Sequence, residues 1–377
     1  MNRLNLRKIG PINKASISFG DLTVLVGPQA SGKSIALQWL KLVNDIGLIQ
    51  EEFQTYGIDY DRKLLKFLEV YFGEGMSSIW SSGSRVSIDG SLVDLDLLVA
   101  RKQRNKTNSV FLIPAQRVMA FANGWPRPFQ DYGPRDPYIV RAYSEELRRL
   151  IEREFGKEET LFPRTRRLKA DYRDLLQKAV FANFSLKIDF ESLQKRLVLE
   201  RGKTQLPYMV WSAGQRELVP LLLGLYWLMP PTAISKRKDI DWVIIEEPEM
   251  GLHPQAISVL LLVVLELLTR GYRACLSTHS PQVLELVWAL EALRSNKGTP
   301  TELLSIFHVE PTQALTAMAA KALRKKSKVY YFTKGGVVSD ITGLELGDHR
   351  ADMATWGGLL DFSERANAAV AKAAANS

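Results

Sequence analysis

A glycine-rich segment near the N-terminus has the residue types and the spacing to bind phosphate. Residues Gly27–Ser34 read GPQASGKS, which fits the pattern G-x-x-x-x-G-K-[S/T]. The segment follows the apolar run Leu22–Val26 and precedes a stretch with helical spacing, so we expect a strand, a loop and a helix in succession. In that arrangement the N–H groups of the loop and the N-terminus of the helix face an anion. A chance match to the pattern is the alternative.

The residues of this loop have separate expected roles. Lys33 would contact the β- and γ-phosphates, and the Ser34 hydroxyl would be a ligand of Mg²⁺. Gly32 would let the backbone approach the phosphates because it carries no Cβ. The sequence therefore predicts ATP and Mg²⁺ as cofactors. The residues expected to bind the nucleotide here are Gly27, Pro28, Gln29, Ala30, Ser31, Gly32, Lys33 and Ser34.

Two adjacent glutamates follow a second apolar run. In DWVIIEEPEMGLHP, the strand-like residues 242–245 are followed by Glu246 and Glu247. The carboxyl ends of parallel strands open on one crevice, and alternation along a strand turns neighbouring side chains in different directions. Glu246 is therefore predicted to hold Mg²⁺, and Glu247 to be the catalytic base that activates water. A solvated acidic turn before Pro248 is the alternative.

Three further segments could complete such a site. His279 ends the apolar run in CLSTHSPQ, where it could sense the γ-phosphate, although it could also be a structural cap. Ser212 and Gln215 have the spacing of a capping box, and the Ser212 hydroxyl with the Gly214 N–H could also meet a γ-phosphate at a helix N-terminus. Gln116 and Arg117 follow the strand-like run in VFLIPAQRV and are predicted to reach the metal or the nucleotide. A surface loop is the alternative for Gln116.

The elements that would position these residues indicate an α/β fold with a mixed sheet. Residues 1–44 contain strand candidates and the glycine loop with its helix. Residues 45–185 read as a mainly helical insertion with some strands, among them the run before Gln116. Residues 186–377 begin with two antiparallel strand candidates, LKIDF and KRLVLE, and continue with buried strands of the parallel type, each followed by a helix.

Composition restricts the class of partner and the compartment. The chain of 377 residues has a formal net charge of +9 and is 46% apolar. Basic stretches at 101–106, 163–173 and 321–328 could contact nucleic acid, or they could be exposed helix faces. A single cysteine, Cys275, excludes a disulfide within one chain and suits a reducing cytoplasm. The apolar runs are too short to span a bilayer, so no membrane association is expected.

The order of these motifs resembles that of the ABC-type ATPase heads of the SMC and RecF branch. Along the chain they are the glycine loop, Ser-x-Gly-Gln, Glu-Glu-Pro-Glu, Leu-His-Pro and Ser-Thr-His-Ser. IIEEPEMGLHP and LSTHSPQ are most similar to the OLD (overcoming lysogenization defect) ATPases and their relatives in anti-phage systems. The resemblance covers roughly residues 1–44 and 186–290. It implies that Gly27–Ser34 is the Walker A motif, that Gln116 is the Q-loop residue and that Ser212–Gln215 is the signature motif. Glu246 would be the Walker B carboxylate and Glu247 the catalytic base. Met250–Pro254 would be the D-loop and His279 the switch histidine.

The resemblance also implies a dimer in which the signature motif of one protomer completes the ATP site of the other. Walker A and Walker B are expected on adjacent strands of one crevice. The chain departs from the family pattern in having Glu246 where aspartate is usual and Ala213 where glycine is usual. Some OLD relatives carry a C-terminal TOPRIM nuclease domain, and the hundred or so residues after His279 contain no recognisable TOPRIM pattern.

The sequence predicts an ATPase head that acts as a nucleotide-driven dimerisation switch. The partners expected are a second copy, or a higher homo-oligomer formed through the ATP sites, and a separately encoded effector of an anti-phage system. A RecF-like DNA-binding repair ATPase is the alternative. A small-molecule kinase is disfavoured, because it would need neither the Ser212–Gln215 segment nor His279.

Overall fold

A six-stranded sheet forms the centre of the computed structural model, which describes residues 1–155, 159–164, 168–190, 195–229, 236–344, 356–359 and 361–375. In chain order the strands are β1 (Arg3–Ile9), β2 (Ile12–Ser18), β3 (Leu22–Val26), β4 (Arg85–Ile88), β5 (Ser91–Leu92), β6 (Val110–Ile113), β7 (Phe121–Ala122), β8 (Trp125–Pro126), β9 (Thr160–Phe162), β10 (Ser185–Asp189), β11 (Arg196–Arg201), β12 (Thr204–Pro207), β13 (Trp242–Glu246), β14 (Arg273–Ser277), β15 (Ser327–Phe332) and β16 (Val338–Asp340). The α-helices are α1 (Lys33–Thr55), α2 (Leu64–Phe72), α3 (Leu95–Ala100), α4 (Tyr138–Glu154), α5 (Ala170–Leu176), α6 (Ala213–Leu228), α7 (Pro254–Thr269), α8 (Pro281–Ser295), α9 (Pro300–Ser305), α10 (Gln313–Ala322) and α11 (Asp361–Ala375).

The central sheet has the strand order β16-β15-β3-β14-β13-β6. Its neighbouring strands run parallel except for β15 and β16, which confirms the predicted α/β class with a mixed sheet. The expectation that β3 and β13 are adjacent is wrong, because β14 lies between them. Ser277 of β14 is paired with Glu246 on one side and with Leu25 on the other. The strand that leads to His279 is thus the central one of the three.

Both faces of the central sheet are buried, and alternation along its strands divides the core into two clusters. Val243 and Ile245 pack with the side chains of α6, α7 and α8 on one face. Trp242 and Ile244 pack with those of β1, β2, α1 and α2 on the other face. A strand covered on both faces reads as a continuous apolar run, which is why β13 could be recognised from the sequence. Cys275 belongs to the second cluster, and burial raises the pKa of its thiol to about 12.

Two antiparallel sheets flank the centre. One has the order β2-β1-β4-β5 and the other β12-β11-β10-β9. The predicted antiparallel pair is confirmed, since Ser185–Asp189 pairs with Arg196–Arg201. The second sheet leads through a short 3₁₀ turn, Tyr208–Val210, into the start of α6.

The segment 45–185, interpreted from the sequence as an insertion, contributes to the central fold. Helix α1 runs on to Thr55, past the expected boundary at residue 44. Strand β6 joins the edge of the central sheet beside β13, with Val110 paired to Trp242. Strand β4 pairs with β1. The remaining elements of the segment include α2, α3, α4 and α5, in agreement with its helical pattern.

A buried ion pair within α1, Lys41–Asp45, makes hydrogen bonds to the start of β6. Asp45, at a kink in α1, accepts hydrogen bonds from Lys41 Nζ at 2.7 Å and from the Val110 N–H at 3.0 Å. It also accepts from the Ser109 N–H at 2.9 Å and the Ser109 hydroxyl at 2.6 Å. Both carboxylate oxygens therefore have partners, and the helix that begins at the glycine loop is attached to the strand that leads to Gln116.

We expect Asp45→Ala to lower the free energy of unfolding by about 3 kcal/mol, because it leaves the Lys41 cation buried without its carboxylate. Urea denaturation followed by circular dichroism measures this change. Asp131→Ala is the matched control, since Asp131 is exposed, and its effect should stay within about 0.5 kcal/mol. An equal loss of unfolding free energy in Asp45→Ala and Asp131→Ala would contradict a stabilising role of the Asp45 contacts.

Within the described part of the chain, no helix has both the length and the apolar character needed to cross a bilayer.

Candidate functional site

The glycine loop has a backbone that only glycine can adopt at two of its positions. Gly27 and Gly32 have φ values of 141° and 99°. A Cβ on Gly27 would lie 2.4 Å from the carbonyl oxygen of Phe332, and one on Gly32 would lie 2.6 Å from Cγ1 of Ile12. The strand, loop and helix predicted from the sequence are present, with α1 beginning at Lys33. The loop therefore lies at the carboxyl end of β3 and at the N-terminus of a long helix, where an anion is favoured.

Lys33, His279 and Glu247 lie together at this edge of the sheet. Lys33 is 6% exposed and donates from Nζ to the carbonyl oxygens of Gly27 at 2.8 Å and Pro28 at 3.0 Å. The same Nζ is 3.1 Å from His279 Nε2, which is 3.4 Å from Glu247 Oε1. Three residues that are far apart in the sequence and were assigned to one reaction are thus in contact.

The electrostatic surroundings shift the titration of these groups in ways that suit proton transfer. Burial and the carboxylate of Glu249 raise the pKa of Glu247 to about 7, although the Lys33 cation opposes the rise. Burial and the Lys33 cation lower the pKa of His279. Burial also lowers the pKa of Lys33. A carboxyl group with a pKa near neutrality is a suitable proton acceptor from water.

Glu246 has the surroundings expected of a carboxylate that binds a metal ion. It is fully buried, and its Oε2 accepts from the Ala115 N–H at 3.1 Å. Its Oε1 is also buried and has no hydrogen-bond partner among the described residues. Burial raises the pKa of Glu246, while the hydrogen bond from the Ala115 N–H and the nearby Ser34 hydroxyl act in the opposite direction. An orphaned carboxylate oxygen beside a hydroxyl fits Mg²⁺, which takes few protein ligands and is completed by water and phosphate oxygens.

Larger metal sites are not found in the described ranges, where no group of three or more His, Cys, Asp or Glu side chains is arranged to hold a metal ion. A Mg²⁺ ion held by Ser34 and Glu246 would take its remaining ligands from water and nucleotide phosphates.

Glu249 is a residue of this site that the sequence reasoning missed. Its Oε1 accepts from the Thr278 hydroxyl and from the His279 N–H, both at 2.7 Å. It therefore fixes the backbone at His279 and also places a second carboxylate beside Glu247. The available signal was the third acid of the Glu-Glu-Pro-Glu run, which could not be assigned without knowing that β14 lies next to β13.

The first turn of α6 is capped as predicted. Ser212 is the N-cap, and its hydroxyl oxygen accepts from the Gln215 N–H at 3.2 Å, while the Ser212 N–H donates to Gln215 Oε1 at 3.0 Å. Ser212 is exposed and its hydroxyl acts here as an acceptor, so its own proton is still available to donate. A Cβ on Gly214 would lie 3.0 Å from the carbonyl oxygen of Gly251. The turn thus packs against the loop 250–254, and its role in binding phosphate stays a prediction.

Gln116 and Arg117 point in different directions. Gln116 is exposed and directly follows Ala115, whose N–H donates to Glu246. Its position at the end of β6 is compatible with the predicted metal contact, which stays a prediction. The expectation that Arg117 reaches the metal or nucleotide is wrong, since Arg117 is fully buried and donates to the backbone carbonyl oxygens of Glu246 and Glu247.

A protein-family model described as "AAA domain, putative AbiEii toxin, Type IV TA system" matches residues 77–285, which is more than half of the chain. The matched part contains Gln116, Ser212, Glu246, Glu247 and His279, and the glycine loop lies before it. No curated protein matches the sequence.

Solved structures to which the chain is similar include two SMC heads and one ABC exporter. The SMC head domain from Thermotoga maritima is 13% identical, with 90% of this chain and 97% of that chain covered and a TM-score of 0.34. The SmcHead bound to the C-winged helix domain of ScpA is 12% identical, with 90% and 96% covered and a TM-score of 0.41. A bacterial Atm1-family ABC exporter with ATP bound is 12% identical, with 82% and 43% covered and a TM-score of 0.35.

Proposed function

The chain belongs to the family described as "AAA domain, putative AbiEii toxin, Type IV TA system". On that premise we propose that it is an ABC-type ATPase head of the SMC, RecF and OLD branch, which hydrolyses ATP and uses the nucleotide to control its own dimerisation. ATP binds at Gly27–Ser34 with Mg²⁺ on Ser34 and Glu246, and Glu247 accepts a proton from the attacking water. The reaction yields ADP and phosphate.

One observation carries this proposal. The ammonium of Lys33, the imidazole of His279 and the carboxylate of Glu247 form a continuous chain of contacts of 3.1 Å and 3.4 Å at the end of β3, β14 and β13. A phosphate-binding cation, a phosphate sensor and a proton acceptor in contact are what hydrolysis of a terminal phosphate needs. The bound Mg²⁺ would add charge neutralisation on the phosphate oxygens.

We expect Lys33→Ala to abolish measurable nucleotide binding at micromolar ATP, because it removes a charged phosphate contact. Equilibrium binding of a fluorescent ATP analogue with Mg²⁺ measures this. Lys63→Ala, at an exposed lysine outside the site, is the control and should bind as the unchanged protein does. Retained affinity in Lys33→Ala would place the nucleotide elsewhere.

The dimer follows from the position of the α6 N-terminus. Ser212 presents an exposed hydroxyl and the Ala213–Gly214 turn beside the loop 250–254. A helix N-terminus with an available hydroxyl binds an anion, and a two-fold dimer would bring each such turn to the γ-phosphate held by its partner. The homodimer is therefore part of the proposal.

We further propose that the switch serves an anti-phage system in the cytoplasm together with a separately encoded effector. The family description, which mentions a toxin of a type IV TA system, and the single buried Cys275 support this. Co-expression with the neighbouring reading frame should reduce phage plating, and Lys33→Ala should abolish the reduction. If cells with Lys33→Ala still reduce phage plating as the unchanged protein does, defence does not depend on nucleotide binding.

Binding to nucleic acid is the second candidate function, favoured by exposed basic residues at the amino edge of the parallel sheet. Arg101 and Arg104 precede β6, and Arg324 and Lys326 precede β15. These four side chains are exposed. Of the third basic stretch, residues 165–167 lie outside the described residues.

If these residues bind phosphate backbones, affinity for duplex DNA should fall by about tenfold or more between 50 and 200 mM salt, with little sequence preference. Filter binding measures this. Replacing Arg101 and Arg104 with alanine should weaken binding, and replacing Arg62, an exposed arginine in another loop, should not. Absence of retention at low salt, for single strands as well, removes nucleic acid from the partners.

A further inference from the structure

We propose that Arg117 is a positioning residue that couples the first turn of α6 to the carboxylates at the end of β13. This inference rests on the proposed function, because it assigns Arg117 a part in ATP hydrolysis by the dimer. Arg117 itself touches neither of the residues assigned to the phosphates, Lys33 and Ser212, in the hydrogen bonds of the described residues.

The Arg117 guanidinium joins two separate elements. Nη1 donates to the Glu246 carbonyl oxygen at 3.0 Å, and Nη2 donates to the Glu247 carbonyl oxygen at 3.1 Å. Nε donates to the Glu217 carbonyl oxygen of α6 at 3.1 Å and lies 3.2 Å from Glu217 Oε2. Because the guanidinium is planar and its donors are fixed relative to one another, a shift of α6 is transmitted to the backbone that carries both carboxylates.

The site of this contact is buried, so its geometry is strongly determined. Arg117 is 0% exposed, and burial lowers its pKa while the carboxylate of Glu217 opposes that shift. Burial raises the pKa of Glu217. A buried cation with one carboxylate and three carbonyl oxygens around it cannot rotate to another partner without leaving a charge unpaired.

Helix α6 lacks one backbone hydrogen bond between its first turns and the rest. Pro220 lies inside the helix and has no N–H to donate to the carbonyl oxygen of Arg216. Glu217 lies in the same turn, between Pro220 and the capped start at Ser212. The contact with Arg117 is therefore made by the part of α6 that precedes the irregularity.

Glu217 also packs against the loop 250–254. A Cβ on Gly251 would lie 3.1 Å from Glu217 Cγ and 3.6 Å from the Ala213 carbonyl oxygen. This loop follows Glu247 by only a few residues. The Arg117–Glu217 pair is thus in contact with the start of α6, with the loop and with the carboxylate backbone at once.

In the proposed dimer, the carboxylates and the Ser212 turn of one protomer contact two different nucleotides. The carboxylates of a protomer act on the ATP held by its own Lys33, whereas its Ser212 turn contacts the ATP of the partner. Arg117 is then the internal link between the two sites, and closure of the partner site on Ser212 is transmitted to Glu247. Coupling of this kind typically changes rates by about three- to thirtyfold.

The direct test uses two variants. Arg117→Lys keeps the positive charge but loses the planar guanidinium with its several donors. Glu217→Gln keeps the shape of the side chain but loses its charge. We expect kcat for ATP to fall about tenfold in Arg117→Lys and about threefold in Glu217→Gln, with the nucleotide Kd unchanged within about twofold. If Arg117→Lys does not fold, Glu217→Gln alone decides. Unchanged kcat in the variant that folds overturns the proposal.

Arg141→Lys is the matched control. Arg141 is also a buried arginine, 1% exposed, that donates to a backbone carbonyl oxygen, that of Val70. It should lower the melting temperature as Arg117→Lys does but leave kcat unchanged. An equal loss of kcat in the control would show that the Arg117 effect is only a loss of stability, and the proposal would be rejected.

A mixed dimer tests the link between sites. Chains with Ser212→Arg and chains with Lys33→Ala together form one intact site, which uses the carboxylates of the first chain and the Ser212 turn of the second. We expect Arg117→Lys to lower kcat about threefold in either chain, because Arg117 holds the carboxylate backbone in the first chain and the start of α6 in the second. The two losses together make up the tenfold loss of the homodimer. A loss only when it is placed in the chain that supplies the carboxylates would mean local support alone, and it would overturn the coupling.

The proposed ATPase function and the proposed role of Arg117 can be rejected by different results. Absence of ATP hydrolysis by the unchanged protein, with or without a partner, would reject the proposed function. Hydrolysis that is normal in the unchanged protein and equally fast in Arg117→Lys and Glu217→Gln would reject only the role of Arg117.

Discussion

We expect Glu247→Gln to slow ATP hydrolysis by roughly two decades or more while ATP still binds, because glutamine fills the same space but cannot accept a proton from water. The structure adds a reason beyond the position of Glu247 in the sequence. Its carboxylate has a pKa near 7 and lies 3.4 Å from His279 Nε2. We also expect the dimer to persist in the variant, since the uncleaved γ-phosphate continues to hold the two protomers together.

Single-turnover hydrolysis and size-exclusion chromatography with ATP and Mg²⁺ measure the two effects. Glu285→Gln is the control, because Glu285 is an exposed glutamate on α8, and it should hydrolyse ATP as the unchanged protein does. Turnover at the normal rate in Glu247→Gln would show that another group activates the water.

The second large effect is the loss of ATPase in Ser212→Arg with nucleotide binding by the monomer intact. Arginine at this exposed position adds bulk where the γ-phosphate of a partner would lie. The glycine loop lies between β3 and α1, and the two carboxylates lie at the end of β13 and directly after it, so the substitution changes neither. We therefore expect kcat to fall by two decades or more, with the Kd for ATP within about twofold of normal.

Mixing Ser212→Arg with Lys33→Ala should restore part of the activity. In the mixed dimer one composite site carries both defects and is inactive. The other pairs the sound Lys33 of the first chain with the sound Ser212 of the second, so it is intact. Up to half of the activity per dimer is expected in an isolated mixed dimer, unless both sites must act together.

Thr299→Arg is the matched control for the arginine. Thr299 is also an N-cap with a capping box, formed with Glu302 at the start of α9, so the substitution removes a similar cap at a distance from the glycine loop in the chain. It should cost about 1 kcal/mol of stability and leave ATPase unchanged. Full ATPase activity in Ser212→Arg would show that the composite site is wrong, and the dimerisation switch would be withdrawn.

Local features of this fold could be predicted from the sequence because each depends on neighbouring residues. The strand, loop and helix around Gly27–Ser34 follow from a short apolar run, glycines that must have positive φ and helical spacing. The cap at Ser212 needs only Gln215 three residues later. The buried strands β13 and β14 are continuous apolar runs, which signal cover on both faces.

Features that depend on strand order could not be predicted. Nothing near Glu249 in the sequence shows that Thr278 and His279 will lie beside it, because that contact requires β14 to be next to β13. The same holds for Arg117, whose partners lie 100 or more residues away. From the sequence alone, a basic residue after a strand is interpreted as a ligand of the metal or the nucleotide, because the direction of its side chain is not known.

The strand order also determines when the glycine loop can form during synthesis. Strand β3 has its two neighbours in β14 and β15, which are completed only after residues 277 and 332 have been added. At about 5–20 residues per second, the ribosome needs on the order of ten to fifty seconds to reach β14 after β3. Throughout that time both edges of β3 lack the strands with which they finally pair. Ribosome-bound chains that stop before β14 should therefore fail to retain ATP.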